Sequence, residues 1–128
     1  MSVRVADRSE SRMQYIQTAR DLLKYTLQRA LKLPKRYTFF ITTDVVKASQ
    51  DIYRNVCIIS SLYSHTDEHR AKRVSLAEDT VGILNYLASQ LDFLKVYAPG
   101  IKTSQFDEWM RLILYEQKLL EGIINKNK

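Results

Sequence analysis

A chain of 128 residues, 45% hydrophobic and 27% charged, can bury one sizeable core without metals or disulfides. Its 3 glycines and 2 prolines are too few for an all-β fold, which turns every ~8–12 residues, and its single cysteine excludes an internal disulfide or a cysteine-based zinc site. The formal net charge of +6 is unevenly spread: residues 1–36 hold nine Lys/Arg against three acids, and residues 37–128 hold eleven of each sign.

Residues 1–10 show no periodicity and read as a flexible polar lead-in. Ser11-Arg12-Met13-Gln14 fits a capping box that opens a first helix. Ile16, Ala19, Leu23, Leu27 and Ala30 follow at three- and four-residue steps, with Tyr15 and Leu22 widening the stripe on one side and Arg20 and Lys24 bordering it on the other. This helix is predicted to end near Lys32, because Leu33 precedes Pro34 and is pushed out of the α region. The second helix starts between Lys35 and Thr43. Either Pro34 leads in with Thr38 as cap, or Thr42/Thr43 caps and Phe39-Phe40-Ile41 packs outside the helix. Its buried stripe is Val45, Ser49, Ile52, Val56, Ile59 and Tyr63, extended by Tyr53, Cys57 and Leu62.

Thr66 or Asp67 caps the third helix, whose stripe Val74, Ala77, Val81, Leu84, Ala88 and Leu91 keeps a heptad rhythm to about Tyr97. Ala98-Pro99-Gly100 stops it. Ser104-Gln105-Phe106-Asp107 opens the fourth helix, with Phe106, Trp109, Met110, Ile113, Leu120 and Ile124 on one side, and residues 126–128 fray. Four amphipathic helices with short connections make an all-α, up-down-up-down antiparallel four-helix bundle over residues 11–125.

The stripes carry little chemistry. Ser49 and Gln117 are the polar residues most nearly in line with an apolar face, and neither is a general base. No Glu is followed three residues later by His, so the di-iron bundle pattern is missing. His65 and His69, four apart, read as a solvated helix start ahead of a metal pair, and Cys57 reads as a small buried hydrophobe. No enzyme, cofactor or metal is expected. Most of the 8 Tyr, 4 Phe and 1 Trp belong to the stripes. Tyr37 follows Lys35-Arg36 and is placed either to stack on a base or to plug the bundle end. The lone cysteine, the lack of any apolar run near ~18 residues and a Met1–Arg12 segment without a secretory core predict a cytoplasmic protein outside the membrane.

A first helix running into Ala30-Leu31-Lys32-Leu33-Pro34-Lys35, followed by Asp51-Ile52-Tyr53-Arg54-Asn55, resembles the Avd-like four-helix-bundle family. Gln105-Phe106-Asp107-Glu108-Trp109 and Leu120-Glu121-Gly122-Ile123-Ile124 match its last-helix pattern, and the similarity covers roughly residues 12–125. The family includes the accessory variability determinants of diversity-generating retroelements and the bundle proteins of intervening sequences in bacterial ribosomal RNA genes. The retroelement branch implies a non-enzymatic, basic homo-oligomer (a pentamer by resemblance) that binds nucleic acid and a reverse transcriptase. Two departures keep the ribosomal branch open: Ile123-Ile124 stands where members often carry a tryptophan, and the second helix offers only Lys47 and Arg54 as cations.

The basic excess and the resemblance together name Arg20, Lys24, Arg29, Lys32, Lys35 and Arg36 as backbone contacts for RNA or DNA. The alternative is a structural or protein-interaction oligomer, for which Tyr15, Leu22, Ile83, Phe93, Leu112 and Leu119 are apolar residues beyond what one small bundle needs.

Overall fold

A computed structural model describes residues 5–62, 66–98 and 100–127 of the chain. Four α-helices dominate: α1 (Val5–Ala30), α2 (Thr43–Ser61), α3 (Asp67–Tyr97) and α4 (Thr103–Lys126). No strand occurs among the described residues, and the chain is all-α. α1 packs on α2, α2 on α3, α3 on α4, and α4 closes back on α1 around one apolar core.

The ends of the helices follow local chemistry. α1 stops at Ala30 because Leu33 cannot stay α-helical before Pro34, and the last carbonyls are taken by a tightened turn in which Lys32 N–H donates to Arg29 O at 3.0 Å and Leu33 N–H to Ala30 O at 3.1 Å. Pro34 O accepts from Tyr37 N–H at 3.0 Å and opens a single 3-10 turn, Lys35–Tyr37. A π turn, Thr38–Thr42, leads directly into α2, and Thr42 flanks α2 without a side-chain cap bond. Both sequence alternatives for this start are therefore partly realised: Pro34 leads in, and the α-helix proper begins at Thr43. The Thr66 hydroxyl accepts from His69 N–H at 3.2 Å and caps α3. Gln105 reaches back to accept from Lys102 N–H at 3.0 Å, so α4 starts one residue earlier than Ser104.

The N-terminus departs from expectation. The helical backbone reaches back to Val5, so Ser11 to Gln14 lie inside α1 and cannot form its opening box. The Ser11 side chain lies outside the described residues, as does Tyr63. At the other end α4 stays helical through Lys126.

On α1 and α3 the buried seam is turned from the expected apolar stripe, whereas on α2 and α4 the expected stripe is largely the one that is buried. On α1 it runs Tyr15, Ala19, Leu22 and Thr26, whereas Ile16 and Leu23 are half-buried and Leu27 is 41% exposed. On α3 it runs Ala77, Thr80, Leu84, Leu87, Leu91 and Leu94, with Val74, Val81 and Ala88 on its flank. A helix packed between two neighbours buries the line pointing between them, and a hydroxyl enters that line when it finds a partner. Thr80 donates to Leu76 O at 2.7 Å and Ser49, fully buried on α2, to Val46 O at 2.8 Å. Thr26 accepts from the Trp109 indole N–H at 2.9 Å, and Tyr25 donates to Gln105 O at 2.9 Å. These two bonds seat the C-terminal part of α1 against the N-terminal part of α4. Tyr25→Phe is expected to lower stability by about 1 kcal/mol, read by urea denaturation, because it removes one such bond and little volume.

Two further corrections concern apolar residues. Cys57, expected to be buried, is exposed because α2 turns that side outward. Of the six residues expected to be in apolar excess, Tyr15, Leu22 and Leu112 are buried, and Ile83 and Leu119 pack half-buried on the core. Only Phe93, 59% exposed, remains outside. Other side chains take its company at the surface: Leu31, Phe40 and Val96 are 88%, 75% and 72% exposed.

Candidate nucleic-acid interface

The six cations singled out from the sequence divide into three settings. Arg20 and Lys24 are exposed one turn apart on α1. The Arg20 guanidinium crosses to α2, donating to the Tyr53 hydroxyl at 3.4 Å with its carbon 6.0 Å from the ring centroid. That hydrogen bond raises the guanidinium further above its ordinary range. Arg29 lies nine residues on, about 180° around the helix from Arg20. It sits 4.8 Å over Tyr25, on the α4 side of α1, half-buried, with a buried Nε that takes no hydrogen bond. The structure therefore does not bring Arg29 together with Arg20.

The third setting is the connection between α1 and α2. Lys32, Lys35 and Arg36 are all exposed there, and the Arg36 guanidinium stacks 5.0 Å above the Tyr37 ring. Tyr37 is half-buried, while Phe40 in the following turn is 75% exposed. Pro34 and the buried Leu33 anchor this segment to the end of the bundle. No ion pair neutralises these three cations among the described residues, whereas Arg54 pairs with Asp51, Arg70 with Asp67 and Arg111 with Glu108. An apolar-anchored turn presenting unpaired cations can bind phosphate oxygens without reading sequence.

Elsewhere the charge is balanced. Glu108 faces Arg111 at the start of α4, which holds its carboxyl below the usual range. A shallow groove between α2 and α3 is lined by Asp44, Asp51 and Asp79 with Lys47, Ile83 and Tyr86, and it offers the wrong sign for a polyanion. His69 sits in the first turn of α3, while His65 lies outside the described residues. Among the described residues no group of three or more His, Cys, Asp or Glu is placed to hold a metal. No described helix is long and apolar enough to cross a membrane.

The sequence reading passed over a buried carboxyl group. Glu116 is fully buried on α4, and neither carboxylate oxygen has a hydrogen-bond partner. Burial alone pushes its carboxyl up to about 9, so it is neutral at pH 7 and leaves the molecule one unit more positive than its formal charge. The signal was present: Glu116 stands three residues after Ile113 and four before Leu120, in phase with the seam that Trp109 begins.

No family model, curated protein or solved structure matches this chain.

Proposed function

We propose that this chain is a non-enzymatic accessory protein of a diversity-generating retroelement, a basic oligomeric adaptor that binds nucleic acid and a reverse transcriptase. The resemblance to the Avd-like family motivates the biological setting, and one observation carries the binding reading: Lys32, Lys35 and Arg36 stand exposed and unpaired on a turn anchored by Leu33. In this reading the four helices run up-down-up-down, the protein works in the cytoplasm as a homo-oligomer (a pentamer by resemblance), and no chemistry is asked of it. Lys24 and Arg20 extend the phosphate surface along α1, and Arg29 contributes less because it lies on the opposite side of that helix.

The test is a titration of labelled RNA and DNA at two salt concentrations. With about five phosphates neutralised, affinity between ~50 and ~200 mM salt is expected to fall roughly 100-fold on single strands and roughly 500-fold on a duplex. Reversing Lys35 and Arg36 to glutamate should weaken both polymers alike. Binding that ignores salt, or none at low salt, ends the polyanion reading. A reverse-transcriptase gene with template and variable repeats beside the coding sequence would support the retroelement setting.

The exposure of Phe93, Val96 and Tyr97 near the end of α3 favours a second reading, a ribosomal intervening-sequence-type bundle acting as a structural or protein-interaction oligomer without a nucleic-acid role. That reading expects light scattering to give an oligomer whose mass is unaffected by Lys35→Glu, and no oligonucleotide binding at low salt. A ribosomal RNA gene as the genomic neighbour would favour it.

A further inference from the structure

We infer that the α1–α2 connection takes single-stranded nucleic acid, with Phe40 stacked on an unpaired base while Lys32, Lys35 and Arg36 hold the flanking phosphates. The inference rests on the nucleic-acid reading above and goes further by naming the strand form.

Phosphate contacts do not account for Phe40. Its ring is 75% exposed in the π turn that follows directly on the cations. Leaving a phenyl ring in water forgoes much of the stabilisation that burying it would bring. The neighbouring aromatic is already engaged: Tyr37 is half-buried and covered by Arg36 at 5.0 Å. Among the described side chains of the segment Phe40 is therefore a free ring, four residues after Arg36 in the chain.

The chemistry discriminates between strand forms. A duplex offers phosphates but hides the faces of its bases in the stack. A single strand offers both a phosphate and an open π-face, and an exposed ring next to cations matches that pair of features. Stacking of this kind tolerates any base, because every base has a π-face, so the surface should be non-selective in sequence and selective for strandedness. Three exposed cations, Lys32, Lys35 and Arg36, precede the ring in the same connection, and the first acid after it is Asp44 in the first turn of α2.

The experiment is fluorescence anisotropy at low salt with three probes: a thymidine strand of about 20 nucleotides, an abasic strand of the same length, and a duplex. Wild type is expected to bind the thymidine strand most tightly. Phe40→Ala should weaken that strand by at least ~5-fold and change the abasic strand and the duplex by less than about 2-fold. Phe40→Trp should retain strand binding, and Lys35→Ala with Arg36→Ala should weaken all three probes. Circular dichroism melting of Phe40→Ala should match wild type, given the ring's exposure.

If the cation variant weakens every probe but Phe40→Ala weakens none, or weakens the abasic strand equally, stacking is wrong and the nucleic-acid reading stands. If wild type binds none of the probes, both fail. Loss of an oligomer in Phe40→Ala with unchanged strand affinity would assign the ring to a protein contact and overturn the inference.

Discussion

Glu116→Leu is expected to raise the melting temperature at neutral pH by roughly 10 °C, from a gain of about 3 kcal/mol. The carboxyl is fully buried, neither oxygen is partnered, and its pKa stands at about 9 against an ordinary 4.5. Between those two values the folded chain binds a proton that the unfolded chain has released. Stability therefore falls as pH rises through this window, at about 1.4 kcal/mol per pH unit, and levels off above the folded pKa. At pH 7 the penalty has accumulated over roughly 2.5 units. Leucine fills similar space beside Leu112, Ile113 and Leu120 and has nothing to desolvate.

The measurement is urea denaturation of wild type and Glu116→Leu at intervals from about pH 5 to pH 9. The difference between the two proteins isolates Glu116 from every other titrating group. It should be small at the acid end and widen steadily. A difference that is constant across the range would mean that the carboxyl does not change its proton affinity on folding, and the account of its burial would be wrong.

Trp109→Ala is expected to destabilise the protein by about 3–5 kcal/mol. Trp109 is fully buried, its ring stacks on Phe106 with centroids 6.3 Å apart, and it lies 6.2 Å from Tyr25. Its indole N–H donates to Thr26 across the α1–α4 seam. Alanine leaves a large cavity and removes the donor. For a domain whose total stability is of order 5–15 kcal/mol, this approaches the limit of folding. Thr26→Val gives the gentler test: it keeps the shape, strands the indole N–H and should cost about 1–3 kcal/mol. In the Trp109→Phe background the same Thr26→Val change should cost much less, because no donor is left unpaired. Equal costs in both backgrounds would show that the hydrogen bond contributes nothing to holding α1 on α4.

Trp109 stood on the expected stripe, but Glu116 and the indole's partner Thr26 lie where the sequence was hardest to read. Thr26 and Glu116 are polar residues on seams, and a search for apolar periodicity steps around such residues. Glu116 was detectable by its phase with Ile113 and Leu120, but its lack of partners depends on which helices surround it. Thr26 was hidden by Leu27, the more hydrophobic neighbour, which in the fold is 41% exposed. The candidate interface was legible in part. Lys32, Lys35 and Arg36 follow a proline and share one short connection, so local chain geometry already kept them together. The separation of Arg29 from Arg20 also follows from their nine-residue spacing, which turns a helix by about 180°, and the structure adds that Arg29 lies over Tyr25.

The sequence by itself determined four helices and most of their ends. Pro34 stops α1, Thr66 caps α3 and the segment after Tyr97 ends it, because steric clash before proline and the capping of orphan amides act within a few residues. It also determined that the positive excess gathers before residue 37. The tertiary structure decided which line of each amphipathic face goes inward. An apolar stripe is wider than the seam a packed helix can bury, and only the two neighbours select the line within it. That selection exposes Cys57, leaves Phe40 in water on the connection that carries the cations, and closes the core over Glu116.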